Sequence, residues 1–289
     1  MTRRFHGSAL PSQGDGSAPR PGIPRIARLA LILGLSVIPG RAADWPHFLG
    51  PRRNNTAADT GLARAWPEGG PRQLWRVSLG QGFAGPAVFD GRVYILDRQD
   101  NQQDVLRCLS MDDGSEMWQY AYDAPGKFSY GGSRSTPTVT ADSVYTIGPM
   151  GHLLCLDRET QAPRWRKHLL DDFGGKRPNW AVAQSPLVLG DLVIVAPLSD
   201  RVGVVALDRR TGEPVWQSKP LGSMNYSSPT VTTLGEVEQI LMLSGQGTVS
   251  GVRATDGEIL WSYTGWTCRI PIVTPDRKST RLNSSHRIR

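Results

Sequence analysis

The residues Ala206-Leu-Asp-Arg-Arg-Thr-Gly-Glu-Pro-Val-Trp216 decide the fold, because the chain repeats them. Related stretches are Cys108-Leu-Ser-Met-Asp-Asp-Gly-Ser-Glu-Met-Trp118, Cys155-Leu-Asp-Arg-Glu-Thr-Gln-Ala-Pro-Arg-Trp165 and Gly251-Val-Arg-Ala-Thr-Asp-Gly-Glu-Ile-Leu-Trp261. Each of the four spans eleven positions without a gap and closes on Trp. Trp75 extends the series backwards, with Trp spacings of 43, 47, 51 and 45 residues. A second marker recurs in step, as Gly85-Pro86, Thr136-Pro137, Ser185-Pro186, Ser228-Pro229 and Ile270-Pro271. Two independent markers in fixed order, with a period of ~45 residues, are the mark of a repeat architecture.

Each unit divides into short strands. After Pro186, apolar runs at 187–189, 192–196 and 204–207 are separated by Gly190-Asp191 and by a turn at 198–201. Thr211-Gly212 makes the next turn, and residues 214–217 form an outer strand. Gly and Asp at the corners supply the positive φ of tight hairpins. A Pro that begins a strand costs no ladder hydrogen bond. Four short strands per repeat predict an all-β fold, a β-propeller of four-stranded blades. The repeats present amount to an incomplete ring, roughly four to five blades of seven or eight. Trp75, Trp118, Trp165, Trp216 and Trp261 are expected to fill the space between neighbouring blades, since a buried indole covers ~150–250 Å². A β-sandwich is the competing architecture, but its strands do not carry a recurring stretch of this kind.

The stretch 206–216 fits the A-x-D-x-x-T-G-x-x-x-W pattern and resembles the PQQ-like (pyrroloquinoline-quinone-like) propeller repeats. The other three copies match it in part. The opening Asp44-Trp45-Pro46-His47-Phe48-Leu49-Gly50-Pro51 is similar to the start of exported bacterial proteins of this class. The resemblance covers about residues 44–275. It implies a fold shared by quinoprotein alcohol dehydrogenases, which bind the quinone with Ca²⁺, and by the noncatalytic outer-membrane assembly factor BamB. A shared fold leaves the activity open.

The chain's 289 residues carry a net charge of +7, which on its own suggests a polyanionic partner. The charge sits at the ends. Residues 1–43 carry +5 and residues 276–289 carry +4, so 44–275 carry −2. That removes the case for nucleic acid. At the start, Arg25 and Arg28 precede an apolar run at 29–38, then Pro39-Gly40-Arg41-Ala42-Ala43. This order predicts a leader and secretory signal peptide over 1–43, and no membrane span after its cleavage. Arg3-Arg4-Phe5 is a weak twin-arginine hint. At the other end, residues 276–289 show no strand alternation and resemble translated sequencing-adapter DNA, so they are expected to be a non-native tail on a repeat that continues.

Candidate chemistry is sparse. Cys108 and Cys155 stand where other copies have Ala206 and Gly251, a small inward strand position. The five His include no HxH or HxxxH pair, so no zinc site is expected. Gly245-Gln-Gly247 reads as a turn. Asp157 and Asp208 recur beside the hairpin turn and read as Asx-type caps. More informative are two long connections between a repeat Trp and the next Pro, at 119–136 and 166–185. They should lie side by side on one face. They carry Lys127, Phe128, Tyr130 and Arg134, then Phe173, Lys176, Arg177, Asn179 and Trp180. Aromatic side chains with Arg and Lys on loops of a rigid scaffold suit a protein hot spot or a glycan.

The sequence therefore points to an exported, noncatalytic binding or scaffold module of the bacterial cell envelope, in the periplasm or outside the cell. Its expected partner is an envelope protein or a glycan, with no cofactor. The alternatives are a fragment of a PQQ-dependent alcohol or sugar dehydrogenase, which would bind PQQ with Ca²⁺, and a propeller domain of a larger secreted enzyme. The adjacent Cys-Cys pair characteristic of the quinoprotein dehydrogenases does not occur in this sequence.

Overall fold

The structure is a computed structural model that describes residues 43–275. The signal segment, except Ala43, and the tail at 276–289 lie outside the described residues. Among the described residues, sixteen strands form four sheets, each of four antiparallel strands in chain order. The first blade holds β1 (Ala87–Phe89), β2 (Arg92–Gln99), β3 (Gln103–Ser110) and β4 (Glu116–Asp123). The second holds β5 (Thr138–Val139), β6 (Ser143–Ile147), β7 (His152–Asp157) and β8 (Pro163–His168). The third holds β9 (Leu187–Leu189), β10 (Leu192–Val195), β11 (Val205–Asp208) and β12 (Pro214–Gln217). The fourth holds β13 (Thr230–Leu234), β14 (Val237–Leu243), β15 (Val249–Arg253) and β16 (Ile259–Tyr263). The sheets are the all-β blades that the repeat predicts, and strands β9 to β12 lie within a residue of their expected limits.

Burial follows position in the blade. Middle strands are covered on both faces by neighbouring blades, so β6 is buried throughout and β10 nearly so. Strands buried on both faces read as continuous apolar runs rather than alternating ones. Outer strands are mostly exposed, and in β12 only Trp216 turns inward. The largest core cluster runs through the second, third and fourth blades.

Three of the five repeat Trp residues hydrogen-bond to the next blade. The indole of Trp165 donates to the carbonyl of Arg209 at 3.0 Å. Trp216 donates to Ala254 at 3.1 Å, and Trp75 to Met111 at 2.9 Å. All three acceptors occupy one repeat position, in the β3–β4 type turn of the following blade. Three residues further on lies the turn glycine. Gly212 has φ +74°, and a Cβ there would come within 2.6 Å of the Trp165 ring. Gly114 and Gly257 stand in the same relation to Trp75 and Trp216. Glycine is required twice over, for its left-handed backbone and for the ring laid against it. Asp208 completes the turn by accepting from the backbone N–H groups of Arg210 and Thr211, both at 2.9 Å. Those bonds hold its carboxyl below the usual range.

The second blade breaks the pattern. Gln161 takes the glycine position at φ +62°. The indole N–H of Trp118, which should dock there, is buried without a partner. Its ring meets Tyr94 edge-on instead, at 5.9 Å. Gln161→Gly is expected to raise stability by about 1 kcal/mol, because a non-glycine residue in the left-handed region costs ~1–2 kcal/mol and a buried N–H gains an acceptor. Urea unfolding of the two forms checks this; an unchanged or lower midpoint would contradict it.

The hydroxyl residues before three marker Pro, Thr136, Ser185 and Ser228, have their own use. The N–H of Thr136 donates to Ser185 Oγ at 3.0 Å, and the N–H of Ser185 donates to Ser228 Oγ at 2.9 Å. These hydroxyls tie the inner edge of the second blade to the third and of the third to the fourth. The opening segment runs along these inner edges. Trp45 exchanges backbone bonds with Val88, Pro46 accepts from the Val139 N–H, and Arg53 donates to the Val188 carbonyl. His47 is nearly buried there, and burial lowers its pKa to about 4.

Candidate functional site

The connections from each outer strand to the next blade gather on one face with the β2–β3 type turns, as backbone bonds from Ala124 to Gln102 and from Val182 to Pro149 record. The first connection is anchored from below by Arg98, near the end of β2 and only 1% exposed. Its guanidinium pairs with Asp104 at 2.6 Å and donates to the carbonyls of Ala124 at 2.6 Å and Gly126 at 2.8 Å. Burial pushes the Asp104 carboxyl up to about 6, against the pull of Arg98. Arg98 thereby fixes the backbone that carries Lys127 and Phe128.

Arg134 shapes the tip of that loop. It donates to the carbonyl of Gly132 at 2.7 Å, and also to those of Ser129 and Tyr130. These bonds hold Tyr130 at φ +56°, an unusual backbone for an aromatic residue. The Arg134 guanidinium lies between two rings, 5.3 Å from the centroid of Phe83 and 5.1 Å from that of Phe128. Arg98 at 5.5 Å and Arg177 at 5.8 Å also face Phe128. One ring therefore gathers three cations, the attraction arising from its negative face.

The second long connection meets the first through Trp180. Its ring stands 6.4 Å from Tyr130 at 81°, and 5.3 Å from Tyr226 at 31°. Trp180 lines two depressions, each about 370 Å³. One lies among Phe83, Tyr130, Arg134 and Trp180. The other includes Asn179, Trp180, Met224, Tyr226 and Arg269. Tyr130 and Phe83 are 72% and 66% exposed, so the rings face solvent.

Phe128, Tyr130, Arg134, Arg177, Asn179 and Trp180 thus form or border one surface, with Lys127 exposed beside Phe128. Phe173 does not share it. That ring is 5% exposed and belongs to the core between blades, where its apolar surface is worth more than in water. Lys176 is engaged elsewhere, in an exposed ion pair with Asp200 at 3.0 Å. Sequence reasoning missed Phe83, Tyr226 and Arg98. Phe83 and Tyr226 each stand three residues before a marker Pro, a spacing that would have exposed both.

No Cys or His side chain lines either depression. Cys108 and Cys155 are free and fully buried, and burial pushes both thiols up to about 11. Thiols so raised are poor nucleophiles at neutral pH. His152 and His168 sit opposite each other on β7 and β8, ring centroids 4.6 Å apart. Burial, with the neighbouring His168, lowers His152 to about 4. Among the described residues no three His, Cys, Asp or Glu side chains converge as metal ligands, and no helix is long and apolar enough to cross a membrane.

Comparison with known proteins agrees with this architecture. BamB of Vibrio cholerae is 28% identical over 52% of this chain and 36% of its own length. An uncharacterized protein of Rickettsia conorii is 22% identical over 62% of this chain and 39% of its own. The crystal structure of BamB from Moraxella catarrhalis superposes with a TM-score of 0.52 at 21% identity, covering 67% of this chain and 55% of that one. The chain thus spans little more than a third of the length of the curated relatives it matches. A family model described as outer membrane protein assembly factor BamB matches residues 102–267, more than half of the chain, and the chain belongs to that PQQ-like repeat family.

Proposed function

We propose that this chain is a noncatalytic binding or scaffold module of the bacterial cell envelope, exported to the periplasm or beyond, that docks a protein partner on its loop face. The observation that carries the reading is the convergence of two long connections into one solvent-facing surface of Tyr, Trp, Phe and Arg. Those residue types dominate the energetic centres of protein interfaces. The matched family's description as an assembly factor supports the same reading. Export rests on the sequence of residues 1–43 and on the outer-membrane description of the relatives.

A PQQ–Ca²⁺ group finds no matching donor set on this face. Ca²⁺ requires a shell of oxygen ligands that usually includes carboxylates, and neither depression is lined by Asp or Glu. The dehydrogenase reading therefore gains no support from these residues, and a cofactor-free module is the reading we favour.

A photo-crosslinking amino acid at position 130 of the full-length protein, in cells that make it, tests the role. Crosslinking to one discrete envelope protein, reduced about ten-fold or more by Trp180→Ala, is the expected outcome, since loss of one anchor of ~1.4 kcal/mol or more shifts affinity that far. A glycan adduct, or no adduct, would overturn the reading.

A further inference from the structure

We infer that the loop face takes an extended acidic peptide segment with an apolar or aromatic anchor residue, an assignment that rests on the protein-binding role proposed above. Four successive connections each contribute one ring, Phe83, Tyr130, Trp180 and Tyr226. Tyr130, Trp180 and Tyr226 lie in sequence across the face, with centroids 6.4 and then 5.3 Å apart. At ~3.3 Å per extended residue, about four residues of peptide match that run. Trp180 borders both depressions, so a single strand of peptide can use both.

The ring geometry favours a side chain over a sugar. Tyr130 and Trp180 meet at 81°, giving a wall and a floor rather than one flat platform. An apolar or aromatic anchor fills such a notch and gains edge-to-face contact. Neither depression is lined by Asp or Glu, so the charged groups at its edge are cations.

Charge fixes the sign of the partner. Arg177, Lys127 and Arg269 form no ion pair among the described residues. Lys176, one residue from Arg177, is already paired with Asp200. Arg134 commits three of its five N–H donors to its own loop and keeps the rest, with its charge, beside the depression. Unpaired cations beside exposed rings are left for carboxylates of the partner, whose attraction would weaken with salt.

The test is fluorescence anisotropy with the full chain and a short labelled peptide of alternating Asp and Glu around a central Phe-Leu pair. Its Asn/Gln counterpart and a labelled chito-oligosaccharide complete the set. The acidic peptide should bind about ten-fold or more tightly than the amide version, and less tightly as salt rises. Arg177→Glu should weaken it about ten-fold, Trp180→Ala at least as much, and Lys176→Gln less than about two-fold. Trp180→Phe, which keeps a ring in place, should retain most of the affinity and so separates contact loss from misfolding. Equal binding of the amide peptide, preference for the oligosaccharide, or indifference to Arg177→Glu would overturn the inference. A protein crosslinked at position 130 through a neutral or basic segment would overturn it too while leaving the binding role intact, whereas absence of any crosslinked protein removes that role itself.

Discussion

Arg98→Met should lower the unfolding free energy by about 3–5 kcal/mol, the usual cost of leaving one half of a buried ion pair behind. Both side chains are fully shielded, and they meet at 2.6 Å. With the guanidinium present, burial already lifts the Asp104 carboxyl to about 6. Without it, Asp104 must either stay charged while buried or take up a proton on folding, and each costs stability at neutral pH. Three backbone carbonyls, of Asn101, Ala124 and Gly126, lose a donor at the same time. Urea unfolding measures the total. The double variant Arg98→Met with Asp104→Leu should lose less than Arg98→Met alone, because the orphaned charge is then gone. A single-variant loss below about 1 kcal/mol would mean that water reaches Asp104 and that the pair contributes little. The loop face should respond as well, with faster amide hydrogen exchange across residues 124–130, since the carbonyls at Ala124 and Gly126 are no longer held.

The repeat made the fold legible because each of its features is local. A Thr-Gly turn, an Asp two or three residues before its backbone donors, and a Pro at a strand start act within one hairpin, so their spacing alone reports the strands. Contacts outside a single hairpin are different. Arg98 sits in a strand and carries no mark that its partners are Asp104 and the carbonyl of Ala124, 26 residues on. Phe83 and Tyr226 lie in short connections, and attention to connection length passed over them. Phe173 shared its loop with true surface residues, yet the turn at Ser199 draws it inward, where the Ser199 hydroxyl donates to its carbonyl at 2.7 Å. The hydroxyl ladder through Thr136, Ser185 and Ser228 was visible only as a small residue before Pro, because its purpose appears when neighbouring blades are placed together.

Trp165→Ala should cost about 3–5 kcal/mol, the range for deleting a buried Trp side chain, and should do so by parting two blades. The ring is 7% exposed, donates to Arg209 in the next blade, and lies flat against Gly212. Trp165→Phe keeps a ring but loses one hydrogen bond, while the Arg209 carbonyl keeps the Tyr145 hydroxyl at 3.2 Å, so about 0.5–1.5 kcal/mol should be lost. Gly212→Ala attacks the same dock from the other side. Its Cβ would lie 2.6 Å from the ring at φ +74°, so steric strain adds to the backbone cost of ~1 kcal/mol or more. Trp261 provides the contrast. Among the described residues its indole donates within its own blade, to Gln239 at 2.8 Å, and its ring is only half-buried. Trp261→Ala should therefore cost less than half as much as Trp165→Ala. Where stability is a sum of blade terms and nearest-neighbour interface terms, loss of one interface also loosens cooperativity. Chemical unfolding of Trp165→Ala should accordingly show a lower midpoint and a shallower or divided transition, while Trp261→Ala keeps the parent slope. Equal losses at the two positions, with unchanged slopes, would make the Trp a property of its own blade and not the joint between blades.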